Sequence, residues 1–180
     1  MADKIVGDVA AKEFVTKAKA AYNSDIIHKF GRATNEDFPD DLFIRSELDC
    51  TDYASKNIAN YATVTEIPDA DITEIKRHEV TNYSNAFAGM AALTSTPKFD
   101  TSQATSIAGM YKNCAALKEV DYIFNCSNIT SIGGVMGILE GTAVTTARFD
   151  NVPGALISDF TAANLGSQLT RIIINGCYKG

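Results

Sequence analysis

Apolar positions in the second half of the chain recur with a step of 25: Phe99, Phe124, Phe149 and Ile174, each followed by an Asp or Asn at Asp100, Asn125, Asp150 and Asn175. A second set keeps nearly the same step through Tyr83, Ile107, Ile132 and Ile157, and Thr81, Thr105 and Thr130 follow it too. Strand candidates run from Lys118 to Phe124, Ala143 to Phe149 and Gln168 to Ile174, each trailed by a passage rich in Ser, Thr, Asn and Gly. A period of this length predicts one supersecondary unit per repeat, stacked on its neighbour around a shared core, with function on a surface instead of in a cleft.

Strand alternation sends Val120, Tyr122 and Phe124 to one face, with Ala147 and Phe149, then Ile172 and Ile174, in equivalent places. The opposite face carries two columns, Lys98, Ile123, Arg148, Ile173 and Thr96, Asp121, Thr146, Arg171. Stacked parallel strands make the members of a column lateral neighbours about 4.8 Å apart. Lys98, Asp121, Ile123, Arg148, Arg171 and Ile173 are therefore the candidate partner-binding residues. The Asp/Asn column marks the turn that ends each strand, because Asx side chains accept hydrogen bonds from nearby backbone amides.

The first third has a helical period instead. Asp8 to Tyr22 reads as a helix with Asp8 as N-cap, and Ile26, Ile27 and Phe30 form a second short stretch ending at Gly31. Phe14, Val15, Ala18 and Tyr22 line its apolar face as a candidate docking helix, which packs on its own repeats or on another subunit. The acidic run from Thr34 to Asp41 marks a boundary; its carboxylates lack the alternation and the Gly of a calcium loop. Leu42 to Cys50 starts strand-like, and Thr63 to Lys76 supplies two β-branched runs broken by Pro68. Ile75, 24 residues before Phe99, extends the Phe99 column backwards. The expected division is a helical arm over 1–33, a linker and cap over 34–71, and repeats over 72–180.

A net charge of -6 and a pI near 4.9 oppose the counterion-release binding that nucleic acids reward. No run of eighteen uncharged apolar residues occurs, and the start lacks the basic and apolar regions of a signal peptide. The four cysteines, Cys50, Cys114, Cys126 and Cys177, show no C-x-x-C pair and read as buried thiols. His28 and His78 are the only histidines, and neither adjoins a nucleophile motif. Gly133, Gly134 and Gly137 are not followed by the Lys-Ser/Thr of a phosphate loop. No catalytic, cofactor-binding or metal-binding residue is expected.

The stretch Phe99 to Val120, FDTSQATSIAGMYKNCAALKEV, resembles the repeat of the BspA-type leucine-rich repeat family, with Met110, Tyr111, Cys114 and Leu117 at its M-F-x-x-C-x-x-L positions. Phe87, Met90 and Leu93 stand in the preceding unit, Val135, Met136 and Leu139, then Phe160 and Leu165, in the following ones. The resemblance implies an α/β repeat fold, a short right-handed leucine-rich-repeat solenoid with parallel strands behind the helical arm, used for adhesion on the outside of bacteria or parasites.

The last strand candidate, taken as Leu169 to Asn175, lies within five residues of Gly180 with no capping unit after it, which predicts an oligomer or assembly component. The expected function is thus non-catalytic and structural: a part of a bacteriophage virion such as a head or tail fibre, with no membrane insertion. A cell-surface adhesin is the alternative and an intracellular scaffold the second.

Overall fold

The computed structural model describes residues 50–77 and 80–178. The chain divides into two units, 1–48 and 49–180, and the described residues belong to the second. The expected helical arm, with Phe14, Val15, Ala18 and Tyr22, lies outside the described residues, as do the acidic run and both histidines.

Helix α1, Tyr53–Asn57, starts after Asp52, whose left-handed backbone (φ 54°) turns the chain into it, and buries Tyr53 and Ala54. Helix α2, Asp69–Arg77, follows Pro68, whose carbonyl accepts from the amides of Asp71 and Ile72 at 2.9 and 3.0 Å. Pro68 serves well there because only its carbonyl is needed, and Asp69 and Asp71 place negative charge in the first turn. Of the two β-branched runs that Pro68 breaks, the second is therefore helix α2 and not a strand. Ile75, expected to prolong the Phe99 column, is a fully buried helical residue instead.

Strands β1 (Phe124–Asn125), β2 (Thr146–Asp150) and β4 (Arg171–Ile174) form a parallel sheet in the order β1-β2-β4, and β3 (Val152–Pro153) pairs with β5 (Cys177–Tyr178). The step of 25 is visible in the partners, Phe124 opposite Phe149, Ala147 opposite Ile172 and Phe149 opposite Ile174. Single turns of 3-10 helix lie at Tyr61–Thr63 and Ile132–Gly134, a longer one at Gly154–Asp159, and a short helix α3 at Ala162–Leu165.

The expected right-handed leucine-rich-repeat solenoid is not the fold observed. That architecture needs a strand from every unit in one curving sheet, whereas this sheet is uncurved and has three strands of two to five residues. The unit at Phe99 contributes none. Pro97 has no N–H to give a ladder, and Thr101 Oγ1 accepts from Asn125 N at 2.7 Å while donating to Asn125 O at 3.0 Å. A side chain thus occupies the edge of β1 where a further strand would pair. The second column drifts as well: Tyr83 and Ile107 are buried, Ile132 is half-buried and Ile157 is 38% exposed. Equivalent sequence positions do not hold equivalent environments.

The core is largely aromatic. Phe87 contacts Tyr53, Phe99 and Tyr111, with centroids 6.4, 5.5 and 5.6 Å away. Tyr122, Phe124, Phe149 and Phe160 form a second run with spacings of 4.9, 5.5 and 5.0 Å. Between them the bends at Asn85, Gly109 and Gly137 are tied by backbone bonds such as Asn85 N to Ala108 O (2.8 Å) and Gly109 N to Met136 O (3.0 Å).

Candidate functional site

Alternation in β2 buries Ala147 and Phe149 and turns Thr146, Arg148 and Asp150 outward, with Arg148 exposed. The parallel partners then place Ile173 beside Arg148 and Arg171 beside Thr146. Strand spacing and rise put the two arginine backbones about 8 Å apart on one face. At the β1 side, Ile123 is 44% exposed, and Lys98 Nζ lies 3.1 Å from Asp121 Oδ2 in an open ion pair. Exposed pairs of this kind contribute about 0 to 1 kcal/mol, so the pair orients two charges more than it stabilises the fold. Neither Arg148 nor Arg171 has a carboxylate partner among the described residues.

All six residues predicted from alternation flank or belong to this sheet: Lys98, Asp121, Ile123, Arg148 and Arg171 are exposed and Ile173 is half-buried. Together they present two unpaired guanidinium groups beside isoleucine surface. Such a combination suits a carboxylate-bearing protein surface, because guanidinium forks match carboxylates and the isoleucines add apolar contact.

A concave feature away from the outward columns was not anticipated. A cavity of about 320 Å³ lies between α2 and the chain around Phe99. Ile75, Val80, Tyr83 and Phe99 form its apolar lining, and Lys76, Lys98, Asp100 and Gln103 supply the polar groups. Tyr83 is 3% exposed, and among the described residues its hydroxyl has no hydrogen-bond partner. Burial, with the neighbouring Cys50 and then Asp100, pushes its pKa well above the ordinary range, so it remains a proton donor. Asp100 Oδ1 accepts from Ser102 N at 2.8 Å and Asn125 Oδ1 from Ser127 N at 3.0 Å, the Asx turns expected at those positions. The sequence concealed the cavity because its wall depends on α2, which β-branched composition disguised as strand.

The remaining chemistry is enclosed. Cys50, Cys114 and Cys126 are fully buried, and burial pushes the Cys114 and Cys126 thiols up to about 12. Gly133 and Gly134 belong to a 3-10 turn. Among the described residues no group of three or more His, Cys, Asp or Glu is placed to hold a metal ion, and no helix is long and apolar enough to cross a membrane.

No family model, curated protein or solved structure matches this chain. The resemblance to BspA-type leucine-rich repeats is corrected accordingly. Its strongest run, Met110, Tyr111, Cys114 and Leu117, is a set of fully buried core positions around two bends, a burial pattern that a small core produces without the family's architecture. Met136, aligned with it in the next unit, is 50% exposed.

Proposed function

We propose that this protein is a non-catalytic binding element of a larger protein assembly, attaching an acidic partner surface to the outward face of the β1-β2-β4 sheet. The observation that carries this reading is the pair Arg148 and Arg171, exposed and without carboxylate partners among the described residues, flanked by Ile123 and Ile173. On a chain of net charge -6, a local cationic and apolar patch gives orientation to an encounter that the remaining surface opposes. A virion is the assembly expected from the sequence; a bacterial cell surface is the alternative setting.

The test uses the full-length chain expressed in the cells that naturally produce it, followed by sedimentation of particles and envelopes. Wild-type protein should co-sediment with one of these fractions. R148E/R171E should remain in the supernatant with an unchanged unfolding temperature. Equal co-sedimentation of both would place the attachment surface elsewhere, and wild-type protein confined to the supernatant would refute the assembly role.

A further inference from the structure

We infer that the cavity between α2 and Phe99 is a binding site for a free apolar α-amino acid, such as leucine or phenylalanine. Opposite charges share the cavity. Lys76 and Asp100 both line it, and among the described residues neither forms an ion pair. Lys98, the second ammonium at the wall, is engaged by Asp121 at 3.1 Å. Among the described lining residues, one positive and one negative group are thus left available around an apolar floor.

A zwitterion satisfies both. Its carboxylate meets the Lys76 ammonium, its ammonium meets the Asp100 oxygen not used by Ser102 N, and its side chain covers Ile75, Val80 and Phe99. The Tyr83 hydroxyl belongs to a buried side chain that lines the cavity, and it has no hydrogen-bond partner among the described residues. It donates to the ligand carboxylate. The volume, about 320 Å³, is at the small end for ligand sites and suits one amino acid better than a peptide. A simple monocarboxylate leaves Asp100 unanswered, and a simple amine leaves Lys76 and Tyr83 unanswered.

The experiment titrates the full chain by calorimetry with L-leucine, L-phenylalanine, 4-methylpentanoate and 3-methylbutylamine. One of the two amino acids should bind saturably with a Kd of about 1 mM or tighter, and the acid and amine at least about tenfold more weakly. K76Q and D100N should each weaken that binding by about tenfold or more while leaving the unfolding temperature unchanged. Asn at 100 keeps the oxygen that accepts from Ser102 N, so the turn survives. R148E/R171E should bind the amino acid like wild type, which separates this site from the sheet face. No saturable binding of either amino acid, equal binding of the monocarboxylate or amine, or indifference to both K76Q and D100N would overturn the inference.

Discussion

The hydroxyls of Tyr111 and Tyr122 lie 3.0 Å apart and join the aromatic cluster around Phe87 to the one around Phe149. Direction follows from proton count: Tyr122 donates to Met110 Sδ at 3.9 Å, so Tyr111 donates to Tyr122. Burial, followed by the nearby Tyr122, raises the Tyr111 pKa well above its usual value, which keeps the donor protonated. Y122F strands the buried Tyr111 hydroxyl and should cost about 1–3 kcal/mol, while Y111F should cost about 0.5–1.5 kcal/mol. The double variant should lose less than the sum. Chemical denaturation of the four proteins checks this, and strict additivity would mean the two hydroxyls do not interact.

Alkali should destabilise the fold through its thiols. Cys114 and Cys126 are raised from 9.0 to about 12 by burial, so the folded chain retains protons that the unfolded chain releases. Stability from this source is intact below pH 9 and falls as pH rises toward 12. The slope is about 1.4 kcal/mol per pH unit for each thiol. Unfolding free energies at several values across that window, for wild type and C114A/C126A, should show the decline flattened in the double variant.

Gly109 turns the chain at φ 61°, and a Cβ there would collide with Asn85 Oδ1 in the adjacent bend. Gly109→Ala should therefore destabilise by about 1–2 kcal/mol or more, since left-handed backbone alone costs that much. Gly133, with negative φ and only Ser131 Oγ nearby at 3.5 Å, should accept Ala at little cost. Paired thermal melts distinguish a requirement for glycine in the bend from a general sensitivity of the loops.

Phe124 is fully buried between Tyr122 and Phe149, with centroids 4.9 and 5.5 Å away. Truncation to Ala should cost about 3–5 kcal/mol. The loss should appear as a lower denaturant midpoint, and a change under 1 kcal/mol, roughly the size of a surface substitution, would contradict this packing.

Much of the pairing was legible because a parallel register repeats a chain length. The step from Phe124 to Phe149 and from Phe149 to Ile174 is the register itself, and alternation in Thr146–Asp150 fixed which side faces outward. What misled is equally specific. Periodicity records the distance between stacked positions but says little about whether backbone or side chain makes the bond between them. At Phe99 the bond goes to the Thr101 hydroxyl, so a matching column does not become a matching strand. The apolar spacing Met110, Tyr111, Cys114, Leu117 encodes burial around bends, which is weaker information than family membership. The predicted binding residues flank or belong to the sheet because they depend only on alternation. The cavity needs α2 packed beside Phe99, a tertiary relation that no local pattern carries.

Hydroxyl-radical footprinting of the chain, free and within its native assembly, tests the sheet-face account most directly. Ile123 and Ile173 should lose reactivity on assembly, while Met136, 50% exposed in the bend after Ile132–Gly134 and outside the sheet, should keep it. Unchanged labelling of both isoleucines, with Met136 protected instead, would contradict it.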